Sequence, residues 1–134
     1  RNWNIADAEA RKIKVANLHS FVALARERGL PILTGTEMNA YGQRFVDDYD
    51  APEMRELYPD FLEGVQVFHG HTMMQAHAGM GYLSGWAQAH FDNVHEKNRF
   101  FAAVGRRVNS LKESALLAIN HTATRQEIEH ALGI

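Results

Sequence analysis

Apolar side chains near the start of the chain recur at helical spacing. Between positions 6 and 28 they follow one another at three- and four-residue steps, in a stripe made of Val15, Leu18, Phe21, Val22, Leu24 and Ala25. Because one face of a helix repeats at this interval, the pattern predicts a helix here, with Asn4 or Asp7 as its N-cap. Gly29 suits the position just after a helix, and Pro31 prevents the helix from continuing.

A short run after this helix favours extended structure. Residues 32–34 are types that β-strands prefer, and Gly35 permits close approach of the backbone. The run ends in polar groups, among them Glu37. Enzymes with α/β folds place active-site side chains at the C-terminal ends of strands. The pattern predicts a strand near residues 31–36 that presents the Glu37 carboxylate to a site, or a buried strand whose end is only solvated.

The chain beyond residue 59 is predicted to be almost wholly helical. An apolar face begins near Phe61, and the glycines Gly79 and Gly81 interrupt it. A further apolar stripe runs from Val94 to Val104. These segments place the chain in the mainly α class, with one or two short strands.

Residues 109–134 carry the signals of a helical tail. Thr124 and Glu127 match the S/T-x-x-E pattern of a capping box, and Gly133 is placed to end the helix. No internal repeat and no convincing linker separates the tail from the rest. We therefore expect a single domain over residues 1–134.

Length and composition fit an ordinary globular domain. The chain has 134 residues, of which 46% are hydrophobic and 22% are charged, and its formal net charge is −2. This acidic balance argues against nucleic-acid binding as the main role. The chain contains no cysteine, which excludes disulfides and thiolate metal sites. It shows no apolar run long enough to cross a bilayer and no signal-peptide pattern, which favours a cytoplasmic location.

Eight histidines make metal binding the first chemistry to consider, because imidazole is the commonest metal ligand. His69 and His71, together with Glu37, are the candidate ligands for an ion of Mn, Zn or Fe. Residues two apart on a regular helix point about 200° apart, so both histidines reach one ion only from an extended segment or a break at Gly70. The alternative is that each histidine packs on a helix and makes one hydrogen bond.

A helical interaction module is the second class of function. Residues 118–134 have the rhythm of helix-turn-helix units, and Arg106 and Arg107 are suited to phosphate. Glu127 and Glu129 in the same tail oppose nucleic-acid binding. We therefore expect the tail to pair with another copy of the chain or with a missing part of the same chain.

Five short motifs follow one another in the first 50 residues. They are Arg1-Asn2-Trp3-Asn4-Ile5, Leu30-Pro31, Gly35-Thr36-Glu37-Met38-Asn39, Gly42-Gln43 and Val46-Asp47-Asp48. Their order resembles the later part of the PHP (polymerase and histidinol phosphatase) superfamily, whose members are metal-dependent phosphoesterases with a distorted (β/α)₇ barrel. The resemblance is vague over residues 51–105 and absent from the tail. The H-x-H that opens the family's domain and its later D-x-H ligands do not occur here.

The resemblance implies that Glu37 matches the family's metal-bridging glutamate and that His69 or His71 stands for a later histidine ligand. The missing histidine motifs imply a fragment: the helical C-terminal part of a PHP-like β/α barrel, belonging to a hydrolase but inactive alone. In that chemistry, metal-bound hydroxide attacks phosphorus while the ions offset the developing charge. No catalytic residue is assigned. The alternative function is a helical protein-interaction or assembly domain without catalysis. The expected partner is the missing N-terminal part of the chain or a second copy.

Overall fold

The computed structural model describes residues 3–35, 41–42, 45–108 and 113–134. Within these ranges the chain is mainly helical, and none of their residues belongs to a β-strand. The mainly α class predicted from the sequence is therefore confirmed. The chain divides into two compact units, Arg1–Leu62 and Glu63–Ile134.

The described residues form helices of very different length. In chain order they are α1 (Ala8–Glu27), α2 (Pro52–Arg55), α3 (Tyr58–Ala78), α4 (Gly85–His90), α5 (Val94–Arg107), α6 (Glu113–Leu117) and α7 (Arg125–Leu132). Among these helices, none is both long and apolar enough to cross a membrane.

Helix α1 begins and ends where its local sequence predicts. Asp7 is the N-cap, and its carboxylate accepts a hydrogen bond of 2.9 Å from the amide of Ala10. At the other end Gly29 has a φ of 63°, and the amides of Gly29 and Leu30 donate to carbonyls of the last helical turn. These bonds form a Schellman motif, which requires a left-handed residue at the position of Gly29.

The first unit has a small apolar core. It consists of Val22, Met54, Leu57 and Phe61, against which Trp3, Leu18, Ile32 and Tyr49 are packed partly buried. At the surface, Arg26 donates to both carboxylate oxygens of Asp60, at 2.9 and 2.7 Å. This bidentate pair raises the pKa of Arg26, chiefly through the side-chain hydrogen bond. Since the pair is exposed to solvent, apolar burial supplies most of the stability of the unit.

The strand predicted near residues 31–36 is wrong for residues 31–35, which form neither strand nor helix. Thr36 lies outside the described residues. A strand is held by hydrogen bonds to a neighbouring strand, and the described ranges supply none. Residues 31–35 are held instead by Ile32, which packs on the core, and by Thr34, whose hydroxyl lies 2.6 Å from that of Tyr49.

The second unit has a larger core to which most of its helices contribute. Its buried members are Val67, Met74, Met80, Ala87, Phe91, Phe100, Phe101, Ala102, Val104, Val108, Leu116, Ile128 and Leu132. The last three come from α6 and α7, so these helices of the tail share the core of the unit. The capping box predicted at Thr124 and Glu127 is confirmed.

Helices α3 and α5 touch through their backbones at two glycines. A Cβ atom added to Gly70 would lie 2.0 Å from the carbonyl oxygen of Phe101. One added to Gly105 would lie 2.0 Å from the carbonyl oxygen of Gln66. Only glycine at both positions permits this crossing, which brings the backbone of α5 within reach of side chains on α3.

Candidate functional site

Glu37, the central candidate ligand, lies within residues 36–40, which are outside the described residues. The structure describes the chain up to Gly35 and again at Tyr41–Gly42 and from Phe45 onward. The assignment of Glu37 as a metal ligand therefore stays a prediction. What the first unit shows is how the flanking segments are held.

Hydrogen bonds connect three of the segments that surround Glu37 in the sequence. The indole Nε1 of Trp3 donates to Oδ1 of Asp47 over 3.2 Å, across 44 positions of sequence. The hydroxyls of Thr34 and Tyr49 are 2.6 Å apart. The lead-in to α1, the segment before Gly35 and the loop of residues 45–50 are therefore linked within one polar region.

A surface pocket of about 420 Å³ lies beside this region. Its walls are formed by Asp47, Asp48, Tyr49, Asp50, Arg55 and Tyr58. The amide of Asp50 donates to the carboxylate of Asp48 over 3.2 Å, and Arg55 donates to the carbonyl of Asp50 over 2.9 Å. These bonds show that the aspartates and Arg55 maintain the shape of the loop, which is the turn role that acidic residues often have.

His69 is an exposed residue of α3 whose ring is held by the backbone of α5. Its Nδ1 lies 3.0 Å from the carbonyl oxygen of Gly105. Because a carbonyl only accepts, Nδ1 must carry the hydrogen, and the lone pair of a neutral ring is then on Nε2. A histidine that ligates a metal usually donates its other ring nitrogen in this way. The hydrogen bonding of His69 therefore suits a ligand as well as a packed helix residue.

His71 has the opposite arrangement. Its Nδ1 accepts a hydrogen bond of 2.9 Å from the amide of Tyr82, just beyond the end of α3. The lone pair on Nδ1 is thus engaged, and in the neutral ring Nε2 carries the hydrogen. One turn later on the same face, the Gln75 side chain accepts from the amide of Gly81 over 3.2 Å. His71 therefore has a structural role in holding the turn that follows α3.

The two histidines do not converge. Helix α3 runs through Gly70 without a break, so the side chains at positions 69 and 71 leave the helix about 200° apart. Each makes the single hydrogen bond that the packing interpretation expects. Within the described ranges, no three or more His, Asp or Glu residues are grouped so that they could hold a metal ion. The assignment of Glu37, His69 and His71 as metal ligands stays a prediction.

Two polar contacts of the second unit were missed by the sequence reasoning. The Tyr82 hydroxyl donates to Oδ1 of Asn98 over 2.6 Å, and Asn98 is only 8% exposed. Burial raises the pKa of the Tyr82 phenol. In the other contact, Nε2 of His77 lies 3.1 Å from Oε1 of Glu113. The sequence signal that could have indicated the Tyr82 contact was Asn98, a polar residue within the apolar stripe of α5.

No protein-family model, curated protein or solved structure matches the chain. The resemblance to PHP-domain proteins therefore rests on the motifs in the first 50 residues.

Proposed function

We propose that the chain is the C-terminal portion of a PHP-like metal-dependent phosphoesterase, with Glu37 as one of its metal ligands. The observation that carries the proposal is the order of the motifs from Arg1 to Asp48, with Glu37 two residues after Gly35. Support comes from the link between the first and last of these motifs, since Trp3 donates to Asp47. The segment before Gly35 is also held in place, because Ile32 packs against the core of the first unit.

The ion expected at Glu37 is Mn, Zn or Fe, and when bound it supplies Lewis-acid activation of a phosphoester. Glu37 provides an anionic oxygen, a donor that suits each of these ions. His69 remains a candidate ligand because its Nδ1 donates to a carbonyl and leaves the lone pair on Nε2. The H-x-H that opens the family's domain and its later D-x-H motif do not occur in this chain, so the ligand set is incomplete. The chain alone is therefore expected to bind metal weakly and to hydrolyse no phosphoester.

Titration with Mn²⁺, followed by the loss of the free-ion signal in electron paramagnetic resonance, tests this function. We expect weak binding by the unmodified chain and no detectable binding by Glu37→Gln, which removes the anionic oxygen. Glu56→Gln is the matched control, since Glu56 is an exposed glutamate of the same unit. Equal binding by all three proteins would contradict the assignment of Glu37. A generic phosphoester assayed with Mn²⁺ should show no turnover, and robust hydrolysis would contradict the incomplete ligand set.

A helical assembly domain without catalysis is the second candidate function. The observation that favours it is an exposed apolar surface on α1, where Ile13, Phe21 and Leu24 are more than half exposed. Apolar side chains gathered on one exposed surface commonly mark an interaction site. Assembly through α1 needs no metal, so Glu37→Gln leaves it unchanged. That variant therefore separates the two functions.

A further inference from the structure

Helix α1 has two apolar sides, and the first unit covers only one of them. Val22 and Ala25 are 1% and 3% exposed and belong to the covered side. Ile13, Phe21 and Leu24 are 61%, 58% and 52% exposed and lie on the other side. The residues between them on this side are exposed as well, including Asn17 and Ser20. The uncovered surface, here called the α1 face, is made of Ile13, Asn17, Ser20, Phe21 and Leu24.

We propose that the α1 face pairs with the same face of a second copy of the chain, with the two α1 helices parallel. The inference deepens the assembly function proposed above and rests on it. The spacing of the α1 face fits a heptad, in which Asn17 and Leu24 occupy a positions and Ile13 and Ser20 occupy d positions. In the same register Glu27, the last residue of α1, falls at a d position, where two carboxylates would repel each other, so we expect the pairing to end before Glu27. In a parallel pair the a and d residues of one helix meet those of its partner.

The charges that flank the α1 face favour the parallel orientation. Glu9 falls at a g position, and Lys14, five residues later, falls at the following e position. In a parallel pair these two positions face each other across the interface, so Glu9 of each copy meets Lys14 of the other. In an antiparallel pair the e positions of the two helices face each other. The other e positions are Phe21 and Arg28, so Lys14 would face one of these and not a glutamate. Opposite charges therefore select the parallel orientation, and they act on specificity more than on affinity.

Asn17 and the size of the α1 face determine how strong the pairing is. A single asparagine at an a position specifies register and the two-stranded state, at a cost in stability. The apolar part of the face is on the order of several hundred Å², below the roughly 800 Å² per partner of stable complexes. We therefore expect weak association, with a dissociation constant on the order of 100 µM.

Sedimentation velocity tests for the dimer. Protein concentrations from about 10 µM to about 1 mM lie on both sides of the expected dissociation constant. The unmodified chain should sediment faster as its concentration rises. Leu24→Glu places a charge in the α1 face and should keep the chain monomeric. Leu117→Glu is the matched control, because Leu117 is a helical leucine of the second unit that is 63% exposed. Circular dichroism melting curves show that both variants remain folded.

Disulfide cross-linking tests the orientation, because the chain has no cysteine of its own. In the parallel pair the two copies of Asn17→Cys lie within the reach of a disulfide, so they should cross-link rapidly under oxidation. Lys12→Cys, on a different side of α1, should cross-link only at the rate of random collision.

Two results would overturn the inference: a monomer at every concentration, or equal cross-linking of the two cysteine variants. A monomer whose α1 face still binds an apolar dye, with the binding lost in Leu24→Glu, would overturn pairing with a second copy. It would leave the assembly function standing with a different partner.

Discussion

At the scale of single residues, Gly105 determines how closely α3 and α5 approach. Gly105→Ala places a Cβ atom 2.0 Å from the backbone oxygen of Gln66, which no side-chain rotation relieves. Because the two helices must move apart, we expect the free energy of unfolding to fall by about 3 kcal/mol. Urea denaturation measures this change. Gly85→Ala is the control, since a Cβ there meets nothing within 4 Å, and equal stability of the two variants would contradict the close crossing.

Tyr82 makes a pH-dependent contribution to the stability of the second unit. Burial raises the pKa of its phenol above the ordinary 10.0, so the folded chain holds the proton longer than the unfolded chain does. The contribution is therefore fully present below pH 10 and is lost as the pH rises through the folded pKa. Tyr82→Phe also loses the hydrogen bond to Asn98. We expect this variant to be less stable at neutral pH, by a margin that narrows above the ordinary phenol pKa.

Chemical denaturation at a series of pH values measures that margin. Tyr41→Phe is the control, because the Tyr41 side chain is fully exposed. If Tyr82→Phe and Tyr41→Phe show the same pH dependence, burial of the Tyr82 phenol has no energetic effect.

At the scale of elements, the capping box at the start of α7 makes the stability of this helix depend on pH. The hydrogen bond from the backbone amide of Thr124 lowers the pKa of Glu127 most, and the hydrogen bond from the Thr124 hydroxyl lowers it further. A carboxylate with a lowered pKa stabilises the folded chain above its ordinary pKa, and this contribution is lost as the pH falls through the folded pKa. Thr124→Ala should lower the free energy of unfolding by about 1 kcal/mol at neutral pH.

Glu127→Gln isolates the part of this effect that titrates. The variant should be less stable than the unmodified chain at neutral pH and nearly equal to it in strong acid. Thermal melts at the two pH values provide the measurement, with Glu56→Gln as an exposed control. A stability difference that does not change with pH would contradict the role of the Glu127 carboxylate.

The elements that were predicted well are those whose signals are local. Asp7 and Gly29 at the ends of α1, and Thr124 at the start of α7, act on residues within one helical turn. The strand over residues 31–35 was wrong because a strand needs a partner, which residue preferences do not supply. The stripe on α1 was predicted to include both Val22 and Leu24. The sequence could not distinguish them, because burial of one and exposure of the other depend on distant segments.

For the candidate site, the sequence predicted only what helix geometry determines, which is the direction in which the histidine side chains leave α3. The divergence of His69 and His71 follows from their spacing along α3. Their partners do not, because His69 bonds to Gly105, 36 positions away, and His71 to the amide of Tyr82, 11 positions away. The sequence alone therefore could not show that the two imidazoles carry their lone pairs on different nitrogens.

At the scale of the whole molecule, the two units differ in what they offer to function. The first unit contains the motifs that resemble PHP-domain proteins and the exposed α1 face. The second unit contains the larger core and most of the helices. The residue on which the proposed function depends, Glu37, belongs to the first unit, and we propose it as a metal ligand.

Anomalous diffraction from crystals soaked in Mn²⁺ is the decisive measurement for this proposal, because it locates the ion without relying on activity. We expect a peak within bonding distance of the Glu37 carboxylate and none at that place in Glu37→Gln crystals. Density without a peak at Glu37 under saturating Mn²⁺ would contradict it.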